Sequence, residues 1–229
     1  KSVKPPWANL NKATTVKGLK PHNFLYSFPS IVRNIETLEN AAQGIGAFTF
    51  VPSVDGIVRQ VPLVVRVGDH LYPTLALELY RVATVQPTMA LVYDTAGMRG
   101  VNLKGLKVPT DRTGQIWMKF GKHDRNLYVS ARDVLNGTVD PQRLAGKLAF
   151  LGTSAVGLLD IKATPLDAAI PGVEVHAQLL QNILDKNYLT RPNWAIGAEI
   201  VAMVMVGLLM VIMVPFLGAL WTLVLAIAS

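Results

Sequence analysis

The chain has 229 residues, of which 51% are hydrophobic and only 16% charged, with a mean hydropathy of +0.34. That excludes a disordered polymer and departs from an ordinary soluble domain, whose charged share is near a quarter. Six of the 22 basic side chains (Lys1, Lys4, Lys12, Lys17, Lys20 and Arg33) lie in residues 1–35 beside no acid, leaving 16 basic against 15 acidic elsewhere. The net charge of +7 therefore sits in a Pro- and Asn-containing leader facing water or lipid headgroups, not on a structured nucleic-acid-binding face.

Residues 1–44 read as irregular, with Pro5, Pro6, Pro21 and Pro29 interrupting any regular element. Residues 47–51 and 57–67 are β-prone runs joined through Asp55-Gly56, the signature of a hairpin. Pro62 has no amide to donate, which places one side of that strand at an edge or a bulge. A helix is expected over 74–84, between Pro73 and Pro87, with Thr74 near its N-cap. Strands follow at 91–93, 106–108 and 115–120, the last two joined by a turn over Asp111–Gly114. Ser130–Asp133 opens a short helix ending at Asn136-Gly137. The continuous apolar run 148–152 predicts a strand covered on both faces. After a loop of small residues, 153–171, apolar positions 173, 175, 179, 180, 183 and 184 predict an amphipathic helix over 172–186. Strands mixed irregularly with helices define a mixed α/β, or α+β, domain over about 45–190.

Residues 195–229 contain one ionisable group, Glu199. As a single helix they would reach about 52 Å, against a bilayer core of about 30 Å. A break at Pro215 and Gly218 resolves this, with one span over 194–214 and a second starting at 216 and running to 229. The alternative is one long kinked helix. Glu199 lies one turn inside the first span, where its carboxylate reaches water. Lys186 and Arg191 beside the span would, taken literally, hold the domain in the cytoplasm. The chain opens without Met and stops inside an apolar run, which reads as part of a longer polypeptide.

Chemistry-bearing motifs are scarce. Ser154, Asp160 and His176 occur in the order of an α/β-hydrolase triad, but Gly152-Thr-Ser-Ala-Val-Gly157 lacks the G-x-S-x-G elbow. His22, His70, His123 and His176 have no metal-binding spacing, cysteine is absent, and no Gly-rich phosphate loop is present. No cofactor or nucleic-acid partner is expected.

Several segments together resemble one family. Gly46 through Asp55-Gly56-Ile-Val-Arg59-Gln-Val-Pro62-Leu is similar to a stretch of the CHASE type 2 domain, the second type of sensory extracellular domain associated with cyclases and histidine kinases. Matches continue in order with Leu71-Tyr-Pro73 to Glu78, Val108 to Asp111 and Gly114, Tyr128 to Leu135, and Gly146-Lys147 leading to Gly152-Thr153. The last and strongest run is Asp160-Ile-Lys-Ala-Thr164-Pro165-Leu through Pro171-Gly172-Val-Glu-Val-His176. The resemblance covers about 44–192. It implies that residues 1–44 finish the N-terminal part of a sensor domain and 45–192 form its C-terminal part. It also implies that residues 1–193 lie in the periplasm of a bacterial inner-membrane receptor.

In such receptors three spans precede a cytoplasmic output, a class III adenylate cyclase, a histidine kinase or a Ser/Thr kinase. The partners expected are the lipid bilayer, a second copy of the chain and a small-molecule stimulus whose class the family leaves open. The segment itself is not expected to be an enzyme. Asp160 and His176, polar and near a helix start, are the candidate ligand-binding residues. Asp55, Gly56, Arg59, Pro73, Asp111, Gly152, Thr164, Pro165, Pro171 and Gly172 read as scaffold. A competing reading is a membrane-anchored accessory subunit that uses the same domain to hold a protein complex. The short connector at 187–193 motivates the receptor reading.

Overall fold

A computed structural model describes residues 24–103, 105–153, 160–191 and 194–228. The chain divides into two compact units between Thr190 and Arg191. In the first, β1 (Ser27–Phe28) and α1 (Glu36–Ala41) precede β2 (Gln60–Pro62), β3 (Val64–Val67), β4 (His70–Pro73) and α2 (Leu75–Ala83). Then come β5 (Ala90–Asp94), β6 (Gly97–Leu103), β7 (Leu106–Pro109), β8 (Gln115–Trp117) and α3 (Ala131–Leu135). The unit closes with β9 (Ile161–Lys162), β10 (Ile170–Pro171) and α4 (Gly172–Asp185). The second unit is α5 (Ala195–Ala228). Mixed helices and sheets with an apolar helix after them agree with the α+β expectation.

The expected 47–51/57–67 hairpin does not form. A tight turn is present: Gly56 N donates to Ser53 O (2.8 Å), with Gly56 at φ +78°, a conformation that costs glycine nothing. The flanking runs then take distant partners. Ala47 N donates to Pro73 O and Leu75 N to Ala47 O, both at 2.7 Å. The second run splits at Leu63, whose N donates to Gly114 O (2.9 Å) and whose O accepts from Thr74 N (2.8 Å). Before the split β2 pairs antiparallel with β8, and after it β3 lies between β1 and β4. Pro62 sits beside this change of sheet, where a missing donor is tolerated.

The leader is not irregular throughout. Leu25 is buried in the core, and β1 adds to β3 in parallel. A strand not expected from the sequence, β6, is the centre of the β5–β6–β7 sheet. The 148–152 run is no strand. Its backbone is irregular; Phe150 packs against the core while Leu151 is 88% exposed, so the run is not covered on both faces.

α2 packs against α4, and Ala76, Leu77, Val175, Leu179 and Ile183 meet Val61, Leu63, Val64, Leu91, Met98 and Ile116 in one core. Each fully buried aliphatic side chain contributes about 1.5–3 kcal/mol relative to exposure. Thr74 is the N-cap of α2, yet its hydroxyl donates to Ala47 O (3.3 Å) instead of capping. Inside α2, Glu78 and Arg81 form a largely buried pair at 2.6 Å.

α5 runs unbroken past Pro215, so the expected break is replaced by the single long helix. A proline removes one donor from the ladder, a loss that apolar helices accommodate. Residues Ala195–Met213, with mean hydropathy 2.5, are long and apolar enough to cross a membrane. Arg191, just before this stretch, donates from Nη2 to both carboxylate oxygens of Glu199 near its start (2.5 and 2.7 Å).

Candidate functional site

α4 presents two chemically different sides. Its N-terminal turn receives Asp160 and His176. Asp160 O accepts from Gly172 N (2.7 Å), and the Asp160 carboxylate pairs with Lys162 Nζ (3.3 Å). It packs so closely that a Cβ on Gly172 would fall 2.3 Å from Asp160 Oδ1, which is why glycine opens this helix. His176 is 2% exposed. Its Nε2 donates to Phe48 O (3.3 Å), and its ring lies 4.6 Å from that of Phe50 and 6.5 Å from that of Phe150. With the proton on Nε2, Nδ1 is a buried acceptor without a hydrogen-bond partner among the described residues. Burial disfavours the imidazolium and pushes His176 down to about 4, against the opposing pulls of the bond to Phe48 O and then of Asp160. The structure thus makes His176 a neutral, aromatic-sandwiched core side chain within reach of Asp160's charge. Ser154, the remaining member of the rejected triad order, lies outside the described residues.

The other side of α4 carries a buried polar stripe. Glu174, Gln178 and Asn182, spaced four apart, are 5%, 9% and 7% exposed, and they face the strand-like continuation of β8. Asn182 Oδ1 accepts from Lys119 N (2.9 Å) while its Nδ2 donates to Lys119 O (3.0 Å). Gln178 repeats this one turn earlier, accepting from Gly121 N (3.0 Å) and donating to Gly121 O (3.3 Å). Leu189 N donates to Trp117 O (3.1 Å), and Asp167 Oδ2 accepts from His123 N (3.1 Å). Positions 117, 119, 121 and 123 alternate along an extended chain, so one backbone edge is satisfied by a backbone amide, two side-chain amides and a carboxylate. Glu174 anchors the far end. It accepts from His123 Nδ1 and the Tyr128 hydroxyl, each at 2.6 Å, and from Gln178 Nε2 (3.0 Å). Burial and the bond to Glu174 push the Tyr128 phenol up.

This stripe lines a cleft of about 190 Å³, whose rim carries Lys119, Lys122, Gln181 and Asp185. Neither this cleft nor a shallower 440 Å³ concavity near Pro87 includes Asp160 or His176. The cleft residues escaped sequence reasoning, although the i, i+4, i+8 polar spacing of Glu174, Gln178 and Asn182 was available as a signal.

The expected scaffold residues occupy turns and close approaches. Asp55 accepts from both terminal nitrogens of Arg59 (2.8 and 2.7 Å) and from Ile57 N (3.1 Å); the Arg59 guanidinium, then that amide, hold its carboxyl down at about 2. Asp111 Oδ1 gathers Thr113 N, the Thr113 hydroxyl and Gln115 N at 2.8–2.9 Å, closing the expected turn. Thr164 and Pro165 shape the turn to Asp167, whose N donates to Thr164 Oγ1 (3.1 Å). That turn delivers Asp167 to His123. Gly152 abuts Val173 on α4, where a Cβ would come within 2.5 Å. Pro73 ends β4 and Pro171 is the N-cap of α4.

The described residues thus form an α+β domain followed by one helix long and apolar enough to cross a membrane. The CHASE2 domain family matches residues 8–212, and the chain belongs to that family. CHASE2 domains are extracellular sensory domains found in receptors, and they are sensory and not catalytic. No curated protein and no solved structure matched the chain.

Proposed function

We infer that residues 24–190 are the periplasmic signal-input module of a bacterial inner-membrane receptor. In this reading α5 spans the membrane and the output is a cytoplasmic class III adenylate cyclase or kinase. One observation carries the reading. α4 lines the polar cleft, and its last residue, Asp185, precedes Ala195 of α5 by ten positions. A stimulus that binds two arrangements of α4 with different affinity shifts their populations, whereas equal binding shifts nothing. Leu189 is hydrogen-bonded to Trp117 and the Tyr188 hydroxyl to Lys107 O (3.2 Å). Residues 188 and 189 are thus held by the domain, and the connector is shorter than the expected 187–193.

Intact mass and peptide mapping of the native polypeptide test the receptor reading first. A cyclase or kinase region on the same chain supports it, and a native end with no output region overturns it. Within the full-length receptor, a Gly-Ser insertion after Thr190 should abolish stimulus-dependent output while leaving the far-UV spectrum unchanged. Full response through the flexible insert would count against mechanical coupling.

The accessory-subunit reading draws on a different observation. Leu127, Leu135 and Leu151 are 73%, 87% and 88% exposed on a stretch that buries little of itself. Co-purification in a large stoichiometric complex, with no output region on the chain, would favour it.

A further inference from the structure

The end of α4 and the chain leaving it gather three lysines. Lys186 closes the helix in the left-handed conformation, with its side chain exposed. Lys119 Nζ donates to Asn187 Oδ1 (3.3 Å), and the Tyr188 hydroxyl donates to Lys107 O (3.2 Å). Lys107 lies between buried Leu106 and Val108, so its own side chain leaves the sheet on the solvent side. Leu189 N donates to Trp117 O (3.1 Å), and Trp117 and Lys119, two apart on an extended segment, project to the same side. Hydrogen bonds thus hold Lys107 and Lys119 against the three residues that follow Lys186. Apolar surface adjoins this charge, with Leu189 53% and Trp194 71% exposed. Asp185 is the one acid in the run 184–191.

The position of this basic end is unusual. Lys and Arg close to a span ordinarily stay in the cytoplasm, whereas CHASE2 domains are extracellular. For Arg191 the conflict is removed by Glu199, which cancels its charge. Lys186, nine residues before Ala195, takes part in no ion pair among the described residues. Its charge works against the domain's orientation unless the outer membrane surface uses it.

We propose that this end of the domain docks on the headgroups of anionic lipids, with Lys107, Lys119 and Lys186 on lipid phosphates and Leu189 at headgroup level. The tether selects the partner. Ala195 of α5 is the sixth residue after Leu189, which allows at most about 20 Å of extended chain between them. Lipid phosphates are therefore held beside these lysines by the chain itself, whereas a soluble anion would have to be captured from dilute solution. Each lysine near an anionic surface favours the docked state about fivefold, and Asp185 opposes it. The proposal rests on the part of the receptor reading in which α5 spans a bilayer.

The test places the whole chain in nanodiscs of phosphatidylcholine, alone or mixed with phosphatidylglycerol. Lysine acetylation by an uncharged reagent is followed by peptide mass spectrometry. In the anionic discs Lys107, Lys119 and Lys186 should react about fivefold more slowly, or slower still, than in the neutral ones. Lys122, which leaves the extended segment on the opposite side from Lys119, and exposed Lys147 should change by less than about twofold. Salt at about 1 M should erase the difference. The double variant Lys107→Gln/Lys186→Gln should return Lys119 to its rate in neutral discs, and Asp185→Asn should slow all three lysines further. These side chains are exposed, so the variants keep the parent's fold, which circular dichroism checks.

Equal rates in the two kinds of disc would overturn the proposal, as would equal slowing of Lys122 and Lys147, or a double variant in which Lys119 stays protected. Failure of the membrane reading looks different. A chain that does not co-elute with the discs removes the span and the docking surface together, whereas a chain in the discs with equal rates removes the docking surface alone.

Discussion

Asn182→Ala probes the coupling of α4 to the strand edge most directly. The side chain makes three hydrogen bonds, to Lys119 N (2.9 Å), Lys119 O (3.0 Å) and Gln178 O (2.8 Å). Alanine removes all three and leaves two half-buried backbone groups of Lys119 without their partner. At a net 0.5–1.5 kcal/mol per bond, partly offset because Lys119 is near water, the cost is about 2–3 kcal/mol. Gln181→Ala, one residue earlier on the exposed side, should stay within about 0.5 kcal/mol of the parent. Urea unfolding of the chain in detergent micelles reads the difference. Amide hydrogen exchange localises it: Lys119 N–H should lose about 30- to 150-fold in protection while core amides such as Leu91 change only with global stability. An Asn182→Ala chain with the parent's midpoint and an equally protected Lys119 amide would refute the assignment of the helix amides as the strand's hydrogen-bond partners.

Other outcomes follow from the same geometry. His176 titrates at about 4 when folded and near 6.5 when unfolded, so the unfolded chain binds the extra proton between those values. Stability should therefore fall as pH drops from about 6.5 to 4, by about 3 kcal/mol in total. His176→Phe should flatten that limb of a stability-against-pH curve; an unaltered limb would assign it to other groups. Gly172→Ala should displace the Asp160 carboxylate, since the new Cβ would lie 2.3 Å from Oδ1, and lower stability by about 1–3 kcal/mol. Adding Asp160→Ala should restore most of the loss in thermal unfolding, and a double variant no better than the single one would contradict the clash. Arg59→Ala should let the Asp55 carboxyl rise from about 2 toward its ordinary value near 3.9, measured by NMR titration, with no rise if Ile57 N alone held it down.

The helices α2, α3 and α4 were the legible part of the sequence, whereas α1 fell in the stretch read as irregular and α5 passes the expected break at Pro215. α4 begins at the expected Gly172 and stops one residue before the expected Lys186, which itself takes the left-handed capping conformation (φ 52°). α2 lies within the expected 74–84, because Pro73 and Pro87 bracket it. Strand partners were not legible. Asp55-Gly56 encodes a turn, but the turn says nothing about whether the next residues pair with each other or with segments 73–75 and 115–117. β6 was hidden by Gly97, Arg99 and Gly100, residues poor in strand propensity that the central position of the sheet overrides.

For the site, Asp160 and His176 were chosen as polar groups at a helix start; the fold sets Asp160 against the first turn of α4, through Gly172, and carries His176 on the helix itself. It also buries the imidazole between aromatic rings, which no spacing rule reveals. The cleft side of α4 was overlooked because its apolar stripe, the usual mark of a core face, drew attention from the polar one. Both faces are buried, one by packing and one by hydrogen bonds.

An extended segment bordering a sheet ordinarily offers its free N–H and C=O groups to any other extended chain it meets. Along positions 117–123 that invitation is withdrawn, since Leu189, Asn182, Gln178 and Asp167 occupy the edge. A neighbouring copy cannot add a strand there without first unlatching α4. The same contacts that fix the helix against the sheet thus guard this border against runaway cross-molecular pairing. Strand addition by a second copy would have to find some other edge.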